Sequence, residues 1–199
     1  MEKCIKLGSH NSWSYMPERK KWMRLVRPIA RCQCRNITSQ YYDGVRMFDL
    51  RLRWDSKAND FTLAHGIVTY LGRYYHDLLW LDEQAYNKNE DIYIRVLLED
   101  SGKANEFIDE RFSEKCRALE RRFSSLKFFG GFPARKRWRE YLYKFKTSEP
   151  SIDERHVSVS GKWWQIIPYR WAKKNNKRVR IMKEEVETIK SDFLMLDFI

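Results

Sequence analysis

Val45-Arg46-Met47-Phe48-Asp49-Leu50-Arg51-Leu52-Arg53 is the stretch that decides the fold. No glycine or proline interrupts it, and side chains on a strand alternate between faces. Val45, Met47, Asp49, Arg51 and Arg53 therefore share one face, while Phe48, Leu50 and Leu52 share the other, which is fit to meet helices. On the first face Asp49 and Arg51 enter an interior where an unpaired charge is costly, so each must pair with the other or with a ligand. A structural ion pair and a functional one both satisfy that requirement.

Working outward, short apolar runs recur at residues 3-8, 60-65, 92-99, 126-129, 156-160, 178-182 and 193-198 and read as further strands. Thr69 to Ala85, Ala104 to Ser124 and Ala134 to Lys146 are long enough for helices. Phe107, Phe112, Cys116, Leu119 and Phe123 give the middle one an apolar stripe. Strands alternating with helices argue for βα units and a mostly parallel sheet. Only Trp54 to Asn59 separates two strands, too short for a crossover helix, so this connection reads as a hairpin-like loop. The chain of 199 residues is also shorter than the roughly 250 typical of an eight-fold barrel. The expectation is an α/β fold, an irregular and shortened (β/α) TIM-type barrel, with residues 1-199 forming one domain.

Composition supports folding and points to the partner's charge. Hydrophobic residues make up 43% of the chain, enough apolar area to offset the entropy of ordering it. A formal net charge of +12 favours an anionic partner, which nucleic acid, an acidic membrane surface or a phosphorylated small molecule would each supply. Cys4, Cys32, Cys34 and Cys116 show no disulfide framework, and Cys32-Gln33-Cys34 lacks the second ligand pair of a structural zinc site; packing or surface thiols are expected. No apolar run of about 18 residues exists, and the start lacks a signal-peptide core, so any membrane contact is expected to be peripheral and the location leans cytoplasmic.

The chain has four histidines, so their positions are informative. His10 follows an apolar run in Leu7-Gly8-Ser9-His10-Asn11-Ser12, and His65 closes another in Leu63-Ala64-His65-Gly66. Both are expected at strand C-terminal ends, the face where a barrel places its site, and the nearby glycines allow close approach of backbone and substrate. The last strand is apolar except for Asp197, and one reason for a carboxylate there is to orient a histidine and raise the basicity of its other nitrogen. A surface aspartate is the other reading. His76 and His156 receive no role, and Trp80 and Trp163-Trp164 can serve either lipid contact or packing.

In their order and spacing, Leu7-Gly8-Ser9-His10-Asn11-Ser12, Gln40-Tyr41-Tyr42-Asp43-Gly44-Val45-Arg46-Met47-Phe48-Asp49-Leu50-Arg51 and Leu63-Ala64-His65-Gly66 resemble the X-domain of phosphatidylinositol-specific phospholipases C. The resemblance is specific over residues 5-66, extends to Ile92-Glu99 and to Met195-Phe198, and leaves much of 100-192 unaligned. It implies His10 as general base, Asp197 as the carboxylate that orients it, and His65 as general acid. It implies Arg51 as the phosphate-holding cation of metal-independent bacterial members, with Asp49 in support. Two positions depart from the bacterial pattern: Asn11 replaces an aspartate, and Glu99 sits where calcium-dependent members place a ligand. Asn11 and Glu99 are thus substrate-side candidates. Asn11, Asp49 and Glu99 together would be the alternative, a Ca2+ site, which the positive charge of Arg51 opposes.

The implied reaction is cleavage of phosphatidylinositol or a related phosphodiester through a cyclic phosphate, with release of diacylglycerol and no cofactor. Two rivals remain. One is a phosphodiesterase for another headgroup, a glycerophosphodiester or nucleic acid. The other is a binding module for anionic lipid or nucleic acid, using basic stretches such as Ala134-Arg139 and Trp171-Arg178. Nucleic acid is the less favoured partner.

Overall fold

The structure is a computed structural model that describes residues 6-99, 105-134, 140-154, 191-197 and 199. In chain order its strands are β1 (Lys6–Ser9), β2 (Val45–Asp55), β3 (Asp60–His65), β4 (Val68–Thr69), β5 (Tyr93–Leu98), β6 (Lys127–Pro133), β7 (Ile152–Asp153) and β8 (Phe193–Leu196). Its helices are α1 (Met23–Ala30), α2 (Ile37–Tyr42), α3 (Tyr74–Lys88) and α4 (Glu106–Arg122).

All eight strands belong to one sheet. Its parallel layer runs β6-β5-β2-β1-β8-β7, with Gly8 opposite both Met47 and Met195. β3 pairs antiparallel with the far end of β2, Leu52 against Leu63, and β4 pairs antiparallel with β3. Leu52 also partners Leu98 of β5, so β3 lies on the opposite edge of β2, the edge that β1 leaves free beyond Ser9. The expected hairpin at 54-59 is thus present. The expected barrel is not: among the described residues the sheet is open, with β6 and β7 at the two ends of the parallel layer and no pairing between them. The strands expected at 156-160 and 178-182 lie outside the described residues.

Alternation along β2 follows the sequence reading. Phe48, Leu50 and Leu52 are fully buried in the core shared with α3 and α4, each contributing about 1.5–3 kcal/mol of burial. Met47 faces the other way, onto Phe129, Phe193 and Met195. Val45 departs from it and packs on the helix side, because the register between β1 and β2 shifts by one residue at Arg46. In β6, Gly130 and Gly131 take φ of 91° and 81°, which L side chains rarely adopt, and a Cβ on Gly130 would lie 2.7 Å from the Val96 carbonyl oxygen. The register shifts there too, between Val96 and Leu97.

α4 forms where its stripe predicts. Asn105 caps it by accepting from the Ile108 N–H, acidic residues sit in its first turn and Arg121 and Arg122 in its last, and Phe112, Cys116 and Leu119 are buried. Phe107 is the exception: in the first turn, it is half exposed, meeting the edge of Trp54 and the Arg111 guanidinium over its ring. α3 begins at Tyr74 rather than Thr69, because Val68 and Thr69 are drawn into β4 and Tyr70 bridges to Glu18. The helix expected over Ala134-Lys146 is absent from 140-146. There the Leu142 and Tyr143 N–H groups donate to the Gly131 carbonyl, and Phe145 stacks on Phe128, so the apolar residues strap the sheet instead. α1 and α2 lie in a stretch the sequence reading left unassigned.

Candidate functional site

β1 delivers His10 just past its last residue, and the turn that follows is anchored on β2. The Ser12 N–H donates to the Asp49 carbonyl at 3.1 Å, and the Asp49 N–H donates to Ser12 Oγ at 2.8 Å. Asn11, at φ 43°, aims its backbone N–H at Asp49 Oδ2, 3.0 Å away. Asp197, directly after β8, reaches His10 from the neighbouring strand, with Oδ1 2.7 Å from Nδ1. Both are buried, Asp197 completely.

The tautomer of His10 follows from its partners. The Asp197 carboxylate accepts, so Nδ1 carries the hydrogen. Arg51 Nη2 lies 3.0 Å from Nε2 and can only donate, so Nε2 presents a lone pair. Nε2 thus presents its lone pair to the Arg51 guanidinium.

Arg51 is fastened on its remaining edges, Nε to Asp49 Oδ2 at 2.7 Å and Nη1 to Glu99 Oε1 at 2.9 Å. Asp49 also accepts from Arg95 Nε at 2.9 Å through Oδ1. Burial opposes ionisation of Asp49, but Arg51 and Arg95 outweigh it and hold the carboxyl far below the usual range. Burial likewise opposes the Arg51 cation, and Asp49 and Glu99 overcome it, so the guanidinium stays charged. Of the three residues of the calcium alternative, Asp49 has both oxygens engaged by guanidiniums, and Glu99 has Oε1 engaged by Arg51 and Oε2 by the Gly66 N–H at 3.3 Å, so an ion bound through these carboxylates would compete with a guanidinium.

His65 reaches the same place by a route other than the expected one. It ends an antiparallel strand, not a parallel one. It meets His10 because β3 folds back along β2 above the end of β1, bringing the two rings to 5.6 Å at right angles. Its Nδ1 donates to the Ala30 carbonyl at 2.7 Å, leaving Nε2 as its working nitrogen. The following turn uses Gly66 at φ 56° and is tied to the end of β5 by Arg53, whose guanidinium donates to the carbonyls of Glu99 and Gly66. A Cβ on Gly8 would lie 2.3 Å from the Met47 methyl, the movable end of that side chain, so a larger residue there asks Met47 to shift.

Burial, then the Arg51 charge, push His65 down to about 4 from an ordinary 6.5. The sign follows directly: between pH 6.5 and 4 the unfolded chain takes up a proton that the folded chain refuses. Above pH 6.5 the group has no effect. As pH falls it costs stability, levelling below about 4 at about 3 kcal/mol. His65→Gln is thus expected to flatten the acid-side fall of stability in urea unfolding followed from pH 7 to pH 4. An unchanged slope would show that the imidazole is not held neutral.

Three further residues complete the site. Arg95 passes its charge from Asp49 on to Glu154, and its place in an otherwise apolar strand is the same signal that singled out Asp197. Gln33 donates to the carbonyls of His10 and Leu196 at 3.2 and 3.0 Å, stapling together the strand ends that carry His10 and Asp197. Cys32 is fully buried, its Sγ 3.9 Å from His65 Nδ1; burial, then the Asp197 carboxylate, push its thiol well above the usual value. Cys32 and Gln33 lie in an aperiodic connection where the sequence carries no signal for their role. Cys34 is exposed, and Cys116 belongs to the helix-side core.

Known structures share this fold. The chain is similar to phosphatidylinositol-specific phospholipase C of Staphylococcus aureus, with a TM-score of 0.62 at 15% identity over 100% of this chain and 89% of that one. It is similar to that of Listeria monocytogenes, with a TM-score of 0.61 at 16% identity over 100% and 91%. A further S. aureus structure, described in connection with modulation of membrane binding, matches with a TM-score of 0.62 at 13% identity over 100% and 89%. At these identities the likeness is one of fold. No protein-family model matches the chain, and no curated protein matches its sequence.

Proposed function

We propose that this chain cleaves phosphatidylinositol, or a phosphodiester with the same neighbouring hydroxyl, by acid–base catalysis between His10 and His65. The observation that carries the reading is His10 Nε2, left as the acceptor by the Asp197 contact at Nδ1 and 3.0 Å from the Arg51 guanidinium, with the His65 ring beside it. In the first step His10 Nε2 takes the proton of the inositol 2-hydroxyl as that oxygen bonds to phosphorus. His65 gives a proton to the diacylglycerol oxygen as its bond to phosphorus breaks, so the products are a cyclic phosphodiester and diacylglycerol. Arg51 turns from His10 to the phosphate and neutralises the charge gathering on its oxygens, the task a metal ion would otherwise perform. Because His65 is neutral in the free protein, the substrate's anionic charge must restore its proton, which couples binding to proton uptake. Slower hydrolysis of the cyclic ester follows with the two histidines exchanging roles.

The substrate lies at a bilayer surface, and the rim near His65 suits such a surface. Trp22 at the start of α1 and Leu25 within it are exposed, as are Ile67 and Leu71 on either side of β4, with the exposed Lys20, Lys21 and Arg24 among them. The Leu71 N–H donates to the Pro17 carbonyl and the Arg19 N–H to the Thr69 carbonyl, holding the two segments together. No helix of the described residues is long and apolar enough to cross a membrane. Phosphorus-31 NMR of the protein with phosphatidylinositol vesicles tests both points. A five-membered cyclic phosphate signal that survives a chelator is expected, and its formation should slow in Trp22→Ala and Leu25→Ala on vesicles but not on a soluble short-chain substrate. A signal abolished by the chelator would overturn the role of Arg51, and none at all would overturn the substrate.

A further inference from the structure

We propose that His10, Cys32 and His65 form a binding site for a soft divalent cation of the zinc class, and that this ion shuts the site by occupying the two histidines. The inference rests on the function proposed above only for that inhibitory consequence. Three elements converge to make the cluster: the end of β1, the connection between α1 and α2, and the end of β3. One ligand atom from each residue lies within 4.8 Å of the others. Cys32 Sγ is 3.9 Å from His65 Nδ1 and 3.8 Å from the Ala30 carbonyl, and the Asp197 carboxylate also lies beside it.

Tetrahedral zinc, with bonds of about 2.0–2.3 Å, sets its ligand atoms roughly 3.3–3.8 Å apart. The three atoms need to close by only about 1 Å, which ring tilting at two histidines supplies. Imidazole nitrogen and thiolate sulfur select zinc, cobalt(II) and their neighbours over calcium or magnesium.

The charge balance also favours occupation. Arg51 and Arg95 pair with the carboxylates of Asp49, Glu99 and Glu154, Asp197 meets His10, and Arg53 lies on the Glu99 and Gly66 backbone carbonyls, so four carboxylates stand beside three guanidiniums and negative charge leads by one. An ion of charge +2 that displaces the Cys32 proton to solvent adds +1 and closes that difference. Arg51 is the nearest opposing charge, and Asp49 and Glu99 hold it from its other edges. His65 is the partly exposed member of the cluster. On binding, His65 must release the Ala30 carbonyl and Arg51 must leave His10 Nε2, so the site competes with the resting arrangement as well as with the phosphodiester.

The test uses the full chain with Cys4→Ser and Cys34→Ser as background, which leaves Cys32 and the core residue Cys116 as its thiols, and the Cys32 variants tell the two apart. Cobalt(II) titration should raise the near-ultraviolet thiolate-to-cobalt absorption, and zinc should reverse it. In Cys32→Ser and Cys32→Ala that absorption should vanish, and zinc inhibition of each variant is read against that variant's own metal-free turnover. Both variants should need far more zinc for half-inhibition, by at least the roughly 10- to 100-fold that loss of a mere outer-shell partner costs. No thiolate absorption in the background protein would overturn the site, as would equal zinc sensitivity in both variants. Thiolate absorption in a protein that turns over no phosphodiester would sustain the site while refuting the proposed function.

Discussion

Replacing His10 with alanine is expected to lower cyclic phosphate formation by about 10²- to 10⁴-fold, in kcat rather than KM, because the loss falls on proton removal and not on phosphate binding. The geometry makes the expectation specific. Asp197 holds Nδ1 at 2.7 Å and fixes Nε2 as the acceptor, so Asp197→Asn should cost nearly as much by presenting the wrong tautomer. His65→Ala should lose comparably on diacylglycerol-linked substrate, yet recover much of the rate when the leaving group is a phenol acidic enough to depart without a proton. Full turnover in His10→Ala, or no leaving-group dependence in His65→Ala, would sink the respective assignment.

Asp49→Ala should destabilise the fold by about 3–5 kcal/mol, a third or more of the 5–15 kcal/mol that ordinarily separates folded from unfolded chains. Asp49 is fully buried, and each oxygen holds a different guanidinium, Arg95 at 2.9 Å and Arg51 at 2.7 Å. Its removal leaves two buried cations short of a partner and also frees the Asn11 N–H. Urea unfolding at neutral pH measures the loss, and combining Asp49→Leu with Arg95→Leu should return part of it by removing the unpaired charge together with its partner. A loss under about 1 kcal/mol would mean that the network is solvated rather than buried.

Much of this was legible beforehand because strand alternation is a local rule. Once residues 45-53 are a strand, Asp49 and Arg51 must share the interior face and Phe48, Leu50 and Leu52 the helix face, and they do. The short 54-59 connection could only be a hairpin. Asp197 and Arg95 stand out as single charges in apolar strands, although only the first was singled out. The failures also have local causes. Apolar spacing in 140-146 cannot distinguish a helix from a strap whose N–H groups are claimed by Gly131.

The residues themselves determined the strand faces, the antiparallel return after β2, the apolar stripe of α4, and a short roster of charged and imidazole groups with reason to be buried. Tertiary structure alone decided that β3 lies along the edge β1 leaves free, which carries His65 to His10 from the opposite direction. It also decided that the sheet stays open among the described residues, and that Gln33 and Cys32 from an irregular loop complete the site. The physical reason is that alternation and turn length act over a few residues, whereas pairing of strands distant in sequence depends on which edges are vacant and which side chains fill the space between them.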